Sequence, residues 1–219
     1  MRCRYETVMF DLDGTLSDSA QGVRDGIETT LKRMDKPVPN LDDTSLYVGP
    51  PLITTFIKVC GLSSEEAIRA VEIYRQAYEE SGKYKNTLYK GIDRLLSDLR
   101  QAGVKLCVAT SKYEGFVQEV LELIGIPDAF DLICGSNLDG SRKEKADIIR
   151  YVAKKLGCAV TKKMVLIGDT AFDALGAMET GCDFIGVTYG FGKTEQMRNL
   201  GVDKLADDAQ GLRFYLFAD

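Results

Sequence analysis

Three groups of residues in this chain could do chemistry together. Asp11 and Asp13 lie two positions apart in Asp11-Leu12-Asp13-Gly14-Thr15-Leu16, directly after the apolar run Thr7-Val8-Met9-Phe10. Asp169 and Asp173 follow a second apolar run, Met164-Val165-Leu166-Ile167, in Gly168-Asp169-Thr170-Ala171-Phe172-Asp173. Thr110, Ser111 and Lys112 follow a third, Leu106-Cys107-Val108-Ala109, and Lys143 and Lys145 open a later helical stretch. Carboxylates from two strand ends would repel each other in one crevice. A hard cation between them makes the arrangement tolerable, and magnesium prefers such oxygen ligands. A metal ion and one or two lysines can turn the local field toward an anionic substrate. The chain has no histidine. Proton transfer near neutral pH therefore falls to a carboxylate, lysine, tyrosine, cysteine or metal-bound water.

The elements that must carry these residues alternate between strand and helix patterns. Thr7–Phe10 reads as a buried strand. A helix from about Ile92 ends at Gly103, and Val104–Ala109 is the next strand. A helix from about Tyr113 to Ile124 is stopped by Gly125 and Pro127. Phe130–Cys134 is a third strand, Lys143–Leu156 a helix closed by Gly157, and Met164–Ile167 a fourth strand. Ala171–Thr180 is a helix closed by Gly181, and Phe184–Val187 a fifth strand. This rhythm predicts an α/β fold: a Rossmann-like, three-layer α/β/α core on a parallel sheet. In such a sheet the binding crevice lies beyond the carboxyl ends of the strands, where all the residues above fall.

Residues 18–87 break the rhythm. Val23–Met34, Leu52–Cys60 and Ser64–Ser81 have helical periodicity, with Ser63 or Ser64 as a cap, and prolines 37, 39, 50 and 51 fall between them. The expected organisation is a core domain of residues 1–17 and 88–219 with an all-helical cap domain, 18–87, inserted after the first strand.

Composition limits the partners. The chain has 219 residues, 45% of them apolar, enough for a sizeable core. A net charge of −5 argues against a nucleic-acid polymer as partner. No apolar run is long enough to span a membrane, no signal peptide precedes the first apolar run, and the six cysteines show no CxxC pair. The expectation is a cytoplasmic protein with reduced cysteines, a monomer or a homodimer.

The motifs resemble those of the haloacid dehalogenase (HAD) superfamily. Asp11 to Leu16 matches its DxDGTL motif, Thr110 its strand-ending Thr or Ser, Lys145 its lone Lys near a helix start, and Gly168 to Asp173 its GDxxxD motif. The order and spacing fit over the whole chain, and the insert matches the family's helical (C1) cap. Asp18-Ser19, Val48-Gly49-Pro50-Pro51-Leu52, Thr110-Ser111-Lys112, Leu138-Asp139-Gly140-Ser141-Arg142 and Gly186-Val187-Thr188-Tyr189-Gly190 resemble the phosphoglycolate-phosphatase-like and 5'-nucleotidase-like branch. One departure is Thr170-Ala171-Phe172, where that branch carries basic or polar residues.

The resemblance implies a magnesium-dependent phosphatase acting on a small phosphorylated metabolite. Asp11 would be the nucleophile and Asp13 the acid and base. Asp11, the Asp13 backbone carbonyl and Asp169 would hold Mg2+. Gly14, Thr110, Ser111 and Lys145 would bind the phosphate, with Thr110 and Lys145 counted as catalytic. Asp173 would orient Lys145 or a water beside the metal. Gly49 and Lys112 are further candidates for substrate contact. Plainer readings stand beside these. Thr110 could be only a helix cap, Lys112 only a surface charge, and Pro51 only the first residue of a helix, with Lys143 the rival of Lys145. A sugar phosphomutase of the β-phosphoglucomutase type is the alternative function, and a non-catalytic ligand-binding member the remote one.

Overall fold

The computed structural model describes residues 2–139 and 141–218; Gly140, inside the phrase Leu138 to Arg142, lies outside the described residues. The first strand, β1 (Thr7–Phe10), is buried along its whole length, as a central parallel strand must be. The ribbon strand β2 (Ser17–Asp18) follows, then helices α1 (Ala20–Arg33), α2 (Leu52–Lys58) and α3 (Ser64–Glu80). The chain returns through β3 (Thr87–Leu88), antiparallel to β2, with Ser17 opposite Leu88. Then come α4 (Ile92–Gln101), β4 (Lys105–Tyr113), α5 (Glu114–Leu123), β5 (Leu132–Ser136), α6 (Lys145–Leu156) and β6 (Met164–Gly168). The last elements are α7 (Ala171–Thr180), β7 (Asp183–Val187), α8 (Thr194–Asn199), β8 (Leu205–Ala206) and α9 (Ala209–Leu216).

Among the described residues a six-stranded sheet has the order β5-β4-β1-β6-β7-β8, every neighbouring pair parallel. Phe10, the last residue of β1, stands in register with Val108 on one side and Ile167 on the other. Alternation along the strands sorts side chains onto two faces. Val8, Phe10, Val108 and Ile167 pack with Ile92 of α4, Val117 of α5 and Leu212 of α9. Met9, Cys107, Ala109 and Leu166 pack with Ile149 of α6, Ala174 of α7 and Met197 of α8. Each fully buried aliphatic side chain contributes roughly 1.5–3 kcal/mol relative to an exposed one.

Helices α1 to α3 bury a separate apolar cluster, including Val23, Ile27, Leu31, Phe56, Tyr74 and Tyr78, which Phe116 of α5 joins. Ser63 caps α3: its hydroxyl accepts from the Glu66 N–H at 3.2 Å, and Glu66 accepts from the Ser63 N–H at 2.9 Å. Such a reciprocal cap contributes about 1 kcal/mol.

Several predicted boundaries move, each for a local reason. The third strand starts at Leu132 rather than Phe130 and runs to Ser136, because Asp131 is tied to Leu106 by N–H···O bonds of 2.8 and 2.9 Å in both directions. Strand β4 continues to Tyr113, past a register shift after Ala109, and so Thr110 lies in a strand and is not a helix cap. Helix α6 opens at Lys145, not Lys143, since Glu144 and Asp147 form its capping box. Pro51 occupies the cap position before α2 rather than the first helical position.

Candidate active site

Asp11 sits immediately past the end of β1 and is 5% exposed, its N–H donating to the Ile167 carbonyl at 2.9 Å. The chain turns at Gly14, whose φ of 83° suits glycine. A Cβ at Gly14 would stand 2.2 Å from Asp169 Oδ2, so this turn presses directly on the carboxylate at the end of β6. Asp169 is wholly buried. Its Oδ2 accepts from the N–H groups of Phe191 and Gly192 at 2.7 and 3.1 Å, while its Oδ1 has no hydrogen-bond partner.

Lys145, at the start of α6, brings three elements together. Its ammonium donates to Asp11 Oδ1 at 2.8 Å and to the Ala109 carbonyl at 2.9 Å, and forms an ion pair with Asp173 Oδ1 at 2.8 Å. Asp173 also shapes the helix it stands on. Its Oδ2 accepts from the Thr170 N–H and hydroxyl at 3.0 and 2.6 Å, closing the capping box of α7. Lys143 is exposed. Phe172 is 43% exposed on the outer side of α7, so the unusual Thr170-Ala171-Phe172 segment puts no aromatic ring into the site.

Carboxylate oxygens of Asp11, Asp169 and Asp173 come within 4.8 Å of one another. Asp173 is also ion-paired to Lys145, at 2.8 Å. Burial pushes the Asp11 carboxyl up to about 6; Lys145 opposes this, while Asp173 and Asp13 add to it. Burial also holds Asp169 well above the usual carboxylate range, with Asp173 and Asp11 pushing the same way against two backbone N–H donors. For Lys145, burial disfavours the ammonium, but Asp11 and Asp173 outweigh it and hold the group above its ordinary value. The site is short of positive charge, and Asp169 Oδ1 is a buried acceptor with nothing to accept. This hard-oxygen set can hold a divalent metal ion.

The Asp13 carboxylate points elsewhere. Both its oxygens accept from the Lys112 ammonium, at 3.0 and 2.9 Å. The Lys112 side chain is only 7% exposed, which rules out the surface-charge reading. The Thr110 hydroxyl, 1% exposed as a residue, accepts from the Lys112 N–H at 3.2 Å.

A cavity of about 410 Å³ opens over Asp11 and Asp13, lined also by Thr110, Ser111 and Lys112 from the sheet and by Gly49, Tyr74 and Arg75 from the inserted segment. Gly49 has a φ of 103°, and a Cβ there would stand 2.7 Å from the Thr170 methyl; glycine lets the inserted segment settle on the start of α7. Gly14, Lys145, Asp169 and Asp173 are not in the lining and pack one layer deeper. Sequence reasoning missed the Phe191 and Gly192 donors to Asp169 and the pairing of Lys112 with Asp13. The first had a signal in Gly190-Phe191-Gly192, two glycines shortly past a strand end, where a Cβ at 192 would stand 2.0 Å from the Asp169 carbonyl. The second had none, because the partners lie 99 residues apart.

A parallel sheet of this kind binds ligands beyond the carboxyl ends of its strands, and here that edge brings together paired carboxylates, a buried lysine and a strand-end threonine. The model of haloacid dehalogenase-like hydrolases matches residues 8–187, and the chain belongs to that family. It is 37% identical over 195 residues to a Pseudomonas aeruginosa protein named 5'-nucleotidase, covering 89% of this chain and 88% of that one. It is 39% identical over 190 residues to the Mycobacterium tuberculosis tyrosine-protein kinase PtkA, covering 87% of this chain but only 64% of that relative's length. A crystal structure of a predicted phosphatase from Clostridium acetobutylicum superposes with a TM-score of 0.90 at 38% identity, over 96% of this chain and 97% of that one. Among the described residues no helix is long and apolar enough to cross a membrane.

Proposed function

We propose that this phosphatase hydrolyses a small phosphomonoester with magnesium, through a phosphate carried on Asp11. The observation that carries the reading is the Asp11 carboxylate at the cavity floor, fixed by Lys145 at 2.8 Å beside the unpartnered oxygen of Asp169. In the first step Asp11 attacks phosphorus, the bond to the alcohol oxygen breaks, and Asp13 gives that oxygen a proton. In the second step water attacks phosphorus, the bond to Asp11 breaks, and Asp13 takes the proton from the water. Gly14, Thr110, Ser111 and Lys145 hold the phosphate oxygens, and Asp173 holds Lys145 in place. Asp11, Asp169 and the Asp13 backbone carbonyl would hold the metal ion. Magnesium there supplies positive charge between two anions that would otherwise repel.

Residues 18–87 act as a cap that closes over the crevice and excludes bulk water, on a core of residues 1–17 and 88–219. Gly49, in the cavity wall, is the further candidate to meet the substrate; Lys112 lines the same wall with its ammonium paired to Asp13. A cavity of about 410 Å³ lies within the ~300–1,000 Å³ range of small-molecule sites. That size admits a nucleoside 5'-monophosphate or the smaller phosphoglycolate. The six free cysteines support a reducing compartment such as the cytoplasm. The test is phosphate release from a panel of phosphomonoesters, with magnesium and with a chelator. Release from at least one ester, lost on chelation, is expected; no release from any ester, or release indifferent to the chelator, contradicts the reading.

A further inference from the structure

Lys112 lies at a junction of three parts of the molecule. It belongs to β4, its ammonium grips both oxygens of Asp13 at 3.0 and 2.9 Å, and the same ammonium stands 4.3 Å from the ring centroid of Tyr78, on α3 of the inserted segment. Tyr78 is 1% exposed and cannot swing aside without disturbing its packing against Tyr74 and Phe116. Its hydroxyl accepts from Asn86 Nδ2 at 3.1 Å, and Asn86 Oδ1 accepts from the Ser17 hydroxyl at 3.2 Å. Ser17 lies in β2 and Asn86 directly precedes β3, so the ring is anchored to the ribbon through which the chain leaves the sheet and returns.

A two-point grip on a carboxylate fixes its plane as well as its place. Desolvated ion pairs of this kind add little net stability, because removing both charges from water costs about as much as their attraction gains. Their use lies in orientation. A free lysine on the cavity wall would be a phosphate contact. Here the ammonium is already committed to a carboxylate on one side and to a ring face on the other, a favourable cation–π arrangement.

We propose that Lys112 is a positioning residue: it holds the Asp13 carboxylate where that group takes the proton from the water that hydrolyses the Asp11 phosphate, and Tyr78 holds Lys112 in turn. The inference rests on the proposed aspartyl-phosphate chemistry. In the step concerned the water oxygen bonds to phosphorus, the Asp11–phosphorus bond breaks, Asp11 departs as a carboxylate, and the water proton passes to Asp13.

The experiment uses p-nitrophenyl phosphate with magnesium. Its aryloxide leaves without a proton donor, so forming the Asp11 phosphate makes no demand on Asp13, whereas hydrolysing it does. In Lys112→Met, kcat falls by at least about 10-fold, kcat/KM stays within about 3-fold of wild type, and the acid-quenched phosphoenzyme accumulates. Lys112→Arg, which keeps donors for a carboxylate, recovers most of kcat. Lys112→Gln stands in if the Met variant does not fold. A fall of kcat/KM in step with kcat means that Lys112 binds the phosphate itself and overturns the proposal, as does an unchanged kcat. If the wild type turns over and the variant matches it, only this inference falls. If the wild type forms no phosphoenzyme, the aspartyl-phosphate chemistry beneath it falls as well.

Discussion

Lys145 Nζ stands 2.8 Å from Asp11 Oδ1, with both side chains less than a tenth exposed. This contact decides which of the two neighbouring lysines matters. Lys145→Ala leaves Asp11 and Asp173 facing each other without the cation between them. Removing one partner of a buried pair costs on the order of 3–5 kcal/mol in stability, and losing a charge-stabilising donor lowers kcat by about 10²–10³. Lys143→Ala, at an exposed position, leaves kcat within about 3-fold. Steady-state rates and thermal melts of the two variants check this. The reverse pattern assigns the role to Lys143.

Gly14 reports on the proposed metal site. A Cβ there meets Asp169 Oδ2 at 2.2 Å and would also have to adopt a φ of 83°. Gly14→Ala therefore displaces the Asp169 carboxylate or the turn itself, at a strain cost of roughly 1–3 kcal/mol. The magnesium concentration for half-maximal rate rises at least about 10-fold, the scale on which disturbed metal ligands lose affinity. A variant with unaltered magnesium dependence would separate Asp169 from the metal.

The buried carboxylates set the pH response of the metal-free protein. Burial raises Asp11 from 3.8 to about 6, so the folded state holds its proton more tightly than the unfolded chain. Folding is then favoured by protonation. Stability rises as the pH falls from above about 6 toward 3.8, and the ionised Asp11 costs stability above that window. On the proposed reading, magnesium bound between these carboxylates offsets the cost. Urea unfolding with a chelator should therefore show less stability at about pH 7 than at about pH 5, and saturating magnesium at about pH 7 should restore it. Equal metal-free stability at both values would contradict the charge balance described for this site.

Much of this was legible because its causes are local. The strands ending on Asp11 and Asp169 announce themselves as apolar runs followed by acids, and glycines mark the ends of α6 and α7. The sheet order was not written in any run of residues. Strand β8 has only two residues, and the β2–β3 ribbon two per strand, too short for an alternation to be read. Thr110 and Lys145 were found from motif spacing, while the Lys112–Asp13 pair and the Phe191 and Gly192 donors depend on how distant segments fold together. The wall contributed by the inserted helices was the least legible part, since Tyr74, Tyr78 and Arg75 follow ordinary helix periodicity and only the packed structure shows that they face the cavity.

The central claim is that Asp11 carries the phosphate. The direct measurement is acid-quench labelling with a 32P-phosphomonoester and magnesium, followed by mapping of the labelled peptide, on wild type and on Asp11→Asn. The expected result is label on the peptide that contains Asp11 in the wild type, and neither label nor phosphate release in Asp11→Asn. Phosphate release that persists in Asp11→Asn, or label that maps to another residue, would contradict it.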